Sequence, residues 1–337
     1  MEFMKIKNLF VLSLAALSFV ACSNEDDPIV PQEGSLVIDL TSVAAVSKAE
    51  GTETGIGDES DLQNVYVYAF DSNGALYGTP QVATVNSAKT SASLTWQLPV
   101  GTYTIAAVSG VETAFTGVNS TTLPQQVVAL TANTRSNFVM YGNATGVTIT
   151  APTADKKDPA TAEIKVARVL AGVKLVDIKT AFKTGVPAEY LNATKTLSSI
   201  KIVGSKESAL LSGAVKTDAT ATDDDDMTKA TFTGGNAVTI TADGGVDNEF
   251  TTAARAYACP GSITRITIGV NFEGVDERFY SVSTSDLVYN TMYGLDITIT
   301  GIGSEDPNQP TPVGSGEITI TPQDWTTGTV IEGSTDY

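Results

Sequence analysis

The side chains that could do chemistry here are carboxylates, two cysteines and scattered lysines, because the 337-residue chain contains no histidine. Without imidazole it lacks the group most used for proton transfer near neutral pH and the commonest metal ligand, which excludes most hydrolase triads and zinc sites. Acids outnumber bases by 38 to 20, a formal net charge of −18. No segment gathers Lys or Arg among aromatics, so nucleic acid is excluded as a partner. A paired-carboxylate glycosidase is the enzymatic chemistry that remains open, but no motif singles out such a pair. Asp223, Asp224, Asp225 and Asp226 form an acidic run. Adjacent carboxylates diverge in extended chain and the glycine-spaced pattern of a calcium loop is missing, so the run reads as a solvated loop. No metal, cofactor or catalytic residue is expected.

Covalent processing is better supported. Lys5 and Lys7 precede an apolar run over residues 9–21, too short to span a bilayer comfortably and of the length of a secretion signal. The run ends in Phe19-Val20-Ala21-Cys22, which looks like a bacterial lipobox. Cys22 is then the lipid-bearing residue and the new N-terminus, the alternative being a cysteine that merely closes an ordinary signal. Acylation of Cys22 leaves Cys259 with no intrachain disulfide partner, and Cys259 reads as a small buried hydrophobe. The acidic stretch Ser23-Asn24-Glu25-Asp26-Asp27 resembles the export signal that sends some Bacteroidetes lipoproteins to the outer face of the outer membrane; a solvated tether is the alternative.

The elements that must carry these residues are strands. In residues 36–40, Leu36, Ile38 and Leu40 share one face, the period-two signature of a half-buried strand. A loop rich in Ala, Gly, Ser, Thr and acid follows over residues 41–61. It holds Lys48, the one Lys or Arg between Lys7 and Lys89 and so a single target for a trypsin-like protease at the Lys48-Ala49 bond; a surface lysine without a role is the alternative. Residues 65–70, the turn Asp71-Ser72-Asn73-Gly74 and residues 75–77 read as a hairpin. Further strands are predicted over residues 91–98, 101–108, 126–130 and 136–141, and many short strands broken by Gly, Pro and Asn imply a sandwich. The polar stretch 151–161 is the best candidate for a linker. Beyond it strands are predicted over 162–168, 172–178, 237–242, 263–272, 278–283 and 291–300, with a short helix over 187–191 behind Pro187.

The tail carries the most information. Prolines and glycines across residues 303–316 predict an extended, loose arm. Fully extended at about 3.3 Å per residue, residues 304–316 reach roughly 40 Å, far enough to meet another molecule. A strand follows with Ile318 and Ile320 on one face, ending at Trp325, and then a second apolar cluster at Val330 and Ile331. The Ile318/Ile320 face echoes Leu36, Ile38 and Leu40, so either strand could fill the same unpaired slot.

In this order and spacing the chain resembles the Bacteroidetes fimbrillins, the subunits of type V pili. The resemblance rests on the lipobox, the first strand, the processing loop, Asp58-Glu59 before the 65–70 strand, Pro99-Val100-Gly101-Thr102-Tyr103, and a strand ending in Trp325. It implies an all-β protein with two tandem antiparallel β-sandwich domains of transthyretin-like, Greek-key type. The expected layout is a signal peptide (1–21), a propeptide with tether and removable strand (22–48), sandwiches at 49–155 and 156–303, and a flexible arm with donor strand (304–337). It also implies a non-enzymatic, surface-exposed outer-membrane lipoprotein whose partners are copies of itself, related fimbrial subunits, a trypsin-like maturation protease and, through Cys22, the outer membrane. Cleavage between Lys48 and Ala49 would release the strand bearing Leu36, Ile38 and Leu40. The segment with Ile318, Ile320, Trp325, Val330 and Ile331 of another subunit would replace it, building a fimbria that supports adhesion. The best-known members are cut after arginine where this chain has lysine, which leaves open an uncleaved anchor subunit. A surface glycan-binding lipoprotein is the reading from a different class, weakened by an aromatic content of 7% without a platform cluster.

Overall fold

Side chains that alternate between apolar and polar drive most of the regular elements among the described residues into strands. The structure, a computed structural model, describes residues 32–42, 57–153, 158–222, 226–244, 254–284, 286–309, 311, 314–324 and 327–330. The first part of the chain contributes β1 (Glu33–Ser42), β2 (Tyr66–Phe70), β3 (Gln81–Val82), β4 (Thr84–Val85) and β5 (Ser91–Pro99). It continues through β6 (Gly101–Ser109), β7 (Val127–Ala129), β8 (Met140–Ile149) and β9 (Ala160–Arg168). Eight of these form one sheet in the order β3-β2-β6-β8-β9-β1-β5-β4. Inward residues from both ends of that path, Leu36, Ile38 and Leu40 in β1 and Val67, Ile105 and Ala107 in β2 and β6, belong to a single core.

The chain then forms β10 (Ala171–Thr180), the helix α1 (Ala188–Asn192), β11 (Lys195–Val203), β12 (Ser205–Lys206), β13 (Ser208–Leu210) and β14 (Ala221–Thr222). After these come β15 (Lys229–Thr231), β16 (Val238–Thr239), β17 (Arg255–Ala258), β18 (Arg265–Phe272) and β19 (Glu277–Val282). The last strands are β20 (Thr291–Ile299), β21 (Gly316–Asp324) and β22 (Thr327–Val330). Two five-stranded sheets result. One is ordered β17-β10-β20-β21-β22; the other is ordered β15-β11-β18-β19, with β16 also on β11. Leu175, Ile200, Ile268 and Ile297 help fill the second core between them. A small sheet pairing β7 with β13 joins the two parts of the chain.

Several expectations shift. Two contacts between strands are parallel, β1 with β9 and β10 with β20, within a fold whose other strand pairs are antiparallel among the described residues. The strand expected at 136–141 begins instead at Met140, because Phe138 and Val139 are buried just ahead of it and Asn133 Oδ1 accepts the Val139 amide at 2.8 Å. β11 escapes a period-two reading because a bulge between Leu197 and Ser199 re-phases Ile200 and Ile202 onto the buried face. The segment Ala160–Arg168, which the sequence places beyond a boundary near residue 156, lies in the first core through Ala162, Ile164 and Val166. The core changes at Leu170 and Ala171.

Leu36, Ile38 and Leu40 are 0%, 0% and 1% exposed. Burying each contributes roughly 1.5–3 kcal/mol relative to leaving it in water. Ile38→Ala is therefore expected to lower the stability of the uncleaved chain to urea unfolding by about 2–5 kcal/mol. Asp39→Ala, on the exposed face of the same strand, changes it by less than about 0.5 kcal/mol; equal losses at both positions would contradict this packing.

Candidate functional site

β1 is a strand at the head of the described chain that sits inside its sheet, not at an edge. Along one side it pairs antiparallel with β5, setting Leu36 opposite Trp96, Ile38 opposite Leu94 and Leu40 opposite Ala92. Along the other it runs parallel to β9, with Leu36, Ile38 and Leu40 opposite Ala160, Ala162 and Ile164. Small alanines flank the large side chains, so Leu36, Ile38 and Leu40 drop between their neighbours without overpacking. The parallel contact needs a long crossover, here everything from β2 to β8, so the slot for β1 exists only once the whole first core has formed. Both rows of β1 backbone groups are satisfied by neighbours that do not depend on the chain before it.

The turn Gly57–Ser60 is fastened separately. Glu59, in the 3-10 turn Gly57–Ser60, is fully buried at 0% exposure. Its Oε1 accepts from Arg255 Nη1 at 2.8 Å and from the Tyr257 hydroxyl. Its backbone carbonyl accepts from Arg168 Nε, at the end of β9, at 2.7 Å. Arg168 and Arg255 are 1% and 3% exposed. Burial lowers the Arg168 guanidinium to about 10, with Glu59 acting in the opposite direction, so Arg168 stays charged at neutral pH. Burial, reinforced by the Glu59 charge, pushes the Tyr257 hydroxyl well up, so it remains a proton donor to Glu59. Asn290 Oδ1 accepts the Arg168 amide at 3.2 Å, and Arg135 donates to the carbonyls of Arg255, Asp226 (2.8 Å) and Lys229 (2.6 Å) while lying over the Tyr257 ring. Strands of both cores meet at this ionic knot.

The tail is docked on its own chain. β21 pairs antiparallel with β20, placing Ile318 opposite Ile297 and Ile320 opposite Leu295, and both isoleucines pack half-buried on the second core. The arm before it, expected to be loose, is tied down. Ser304 exchanges both backbone bonds with Phe279 (2.8 and 2.9 Å), and Glu305 pairs with Arg278 at 3.0 Å. Thr311 Oγ1 donates to the Ser281 carbonyl at 3.1 Å, and the Ser315 carbonyl accepts from Thr300 and Gly301. Arms rich in Pro and Gly lack helix or strand signals but keep carbonyls and hydroxyls that such local bonds satisfy.

The structure therefore gathers Leu36, Ile38 and Leu40 in one slot and sets Ile318 and Ile320 on a different sheet. Val330 lies in β22. Cys22, Lys48, Ala49, Trp325, Ile331 and Asp223 to Asp225 lie outside the described residues. Cys259 is buried in the first core. Sequence reasoning missed the slot walls. Ala162, Ile164 and Val166 carried the right alternation but no sign of which core they join. Glu59 was visible as part of Asp58-Glu59, but its partners lie far away in the chain. Replacing Glu59 with alanine leaves buried guanidinium charge uncompensated and is expected to cost about 3–5 kcal/mol in urea unfolding; a loss under about 1 kcal/mol would mean that other groups balance that charge.

Residues 39–330 match the family described as fimbrillin-A associated anchor proteins Mfa1 and Mfa2. Among solved structures, the chain is similar to a candidate cell adhesion protein from Parabacteroides distasonis ATCC 8503, at 15% identity and a TM-score of 0.61 over 89% of this chain and 99% of that one. It is also similar to a candidate cell adhesion protein from Bacteroides eggerthii DSM 20697 (17% identity, TM-score 0.53, 88% of this chain and 97% of that one). A fimbrilin from Porphyromonas gingivalis W83 gives 14% identity and a TM-score of 0.53 over 87% and 98%. At these identities the likeness is one of fold. No curated protein matches the chain.

Proposed function

The chain belongs to the family of fimbrillin-A associated anchor proteins Mfa1 and Mfa2, and from that premise we propose that it is a structural, non-catalytic subunit of a surface fimbria that polymerises by donor-strand exchange. In this reading Cys22 receives a lipid, the precursor reaches the outer face of the outer membrane, and a trypsin-like protease cuts between Lys48 and Ala49. The strand bearing Leu36, Ile38 and Leu40 then leaves, and the tail of another subunit, with Ile318, Ile320, Trp325, Val330 and Ile331, takes its place. The assembled fimbria supports adhesion.

The observation that carries this reading is the place of β1, a strand near the head of the chain paired on both edges inside its sheet. Its loss opens a full-length slot with two unpaired rows of backbone groups, a strong template for strand addition. While β1 remains, the slot is filled and premature assembly is suppressed. A few buried anchors at roughly 1.5–3 kcal/mol each, with a completed backbone ladder, exceed the cost of association and make a junction that dissociates slowly. The buried Glu59 clamp keeps the chain downstream of the cut fastened when the segment upstream departs.

A second reading is an anchor subunit that keeps its first strand and lipid, favoured by the word anchor in the family's description. N-terminal sequencing of sheared surface filaments decides between them. A polymerising subunit begins at Ala49, and Lys48→Gln leaves the precursor full-length and monomeric. Filament-associated chains that all begin at Cys22 contradict the polymerising form and support the anchor.

A further inference from the structure

Gly34 faces the same side of β1 as Leu36, Ile38 and Leu40, at the mouth of the slot. A Cβ at this position would lie 2.4 Å from the Thr150 carbonyl oxygen and 2.7 Å from Ile149 Cγ2. The nearest obstacle is backbone at the end of β8, which cannot swing aside as a side chain could. Any strand that fills the slot must therefore bring a glycine to this point, with apolar side chains two and four residues later.

The tail offers one such run. Gly34-Ser35-Leu36-Val37-Ile38 is matched by Gly316-Glu317-Ile318-Thr319-Ile320. Starting two residues earlier, at Gly314, puts Gly316 in the Leu36 pocket and leaves it empty; starting at Gly328 puts Glu332 in the Ile38 pocket. The first leaves a cavity in the core and the second buries an unpaired carboxylate. Beyond Ile320 the matched register brings Pro322 to the Leu40 position, where its missing N–H ends the ladder on one side.

Resting on the strand-exchange reading above, we propose that glycine fixes the register of assembly: Gly316 of one copy enters the Gly34 position of the next, with the incoming strand running in the direction of β1. Ile318 then fills the Leu36 pocket, Ile320 fills the Ile38 pocket, and Thr319 lies opposite Thr95, the partner of Val37 in the precursor. The slot so specified accepts a second copy of this chain, or any subunit whose tail carries Gly-x-apolar-x-apolar, and rejects tails with a Cβ at the first place. Within its own chain Thr319 lies opposite Asp296, so the Thr319 to Thr95 contact arises only between molecules.

The test is disulfide trapping in filaments assembled from protease-cleaved full chain. Thr319→Cys combined with Thr95→Cys is expected to give a ladder of linked subunits on a non-reducing gel, and Glu317→Cys with Thr95→Cys is not. The reverse pattern, which reports the Gly314 register, overturns the proposal while leaving strand exchange standing. Cleaved wild-type chain that never assembles overturns both. Gly316→Ala supplies an independent readout. In the precursor the added methyl meets the edge of the buried Tyr280 ring at 3.0 Å, so its melting temperature is measured alongside and assembly is compared where the precursor remains folded. In the slot the same methyl meets backbone, so assembly is expected to fall by roughly tenfold or more. A Gly316→Ala chain that assembles as fast as wild type contradicts the glycine requirement.

Discussion

The structure depends on one constraint: β1 completes a sheet from within. An edge strand can peel away and leave one row of amides to water, whereas an interior strand satisfies two rows at once and plugs the core between them. For β1 that core contribution is three fully buried aliphatic side chains set against small alanines on β9 and β5. The first core is complete only while something occupies that position, and nothing in the chemistry of the slot requires the occupant to come from the same chain. A backbone ladder and three apolar pockets are satisfied by any strand of the right face and register that brings no Cβ to the Gly34 position.

The ionic knot around Glu59 answers a second requirement of such a design. In the proposed strand exchange, the cut segment has one end that leaves and one that stays. The turn Gly57–Ser60 is held by a buried carboxylate, two buried guanidiniums and a tyrosine hydroxyl, drawn from the end of β9 and from β17. Charge in so dry a place is tolerated because the Glu59 carboxylate pairs with Arg255 and accepts from the Tyr257 hydroxyl while Arg168 donates to the Glu59 carbonyl, and the arrangement ties the turn to both cores. The β7–β13 pairing and the three carbonyl bonds of Arg135 cross between the same two parts of the molecule.

How much of this was legible in the sequence follows from the range of each interaction. Period-two patterns are local, so Leu36, Ile38 and Leu40 announced a strand, and so did Ile318 and Ile320. The Asp71 turn was legible for the same reason: Asp71 Oδ1 caps the amides of Asn73 and Ala75. Its return strand was not, since only Leu76 bridges back to Phe70, and β2 pairs instead with β6 on one side and β3 on the other. Strand neighbours are set by tertiary packing. The alternation of Ala162, Ile164 and Val166 could not say that β9 would turn back to wall the slot for β1. A bulge hid β11 by breaking its period, and the arm after Ile302 gave no pattern because hydroxyl and carbonyl bonds, not buried apolar faces, hold it. The buried Glu59 was beyond sequence reasoning altogether, because a charge is affordable in a core only if distant arginines arrive beside it.

The most direct test of the account is amide hydrogen exchange followed by mass spectrometry on three states: uncleaved precursor, cleaved subunit held as monomer, and assembled filament. Peptides from β5 and β9 are expected to be protected in the precursor, to exchange rapidly once the first strand has gone and to regain protection in the filament, while peptides around Glu59 stay protected throughout. Protection of β5 and β9 that persists after loss of the first strand, with no other strand bound, would contradict it.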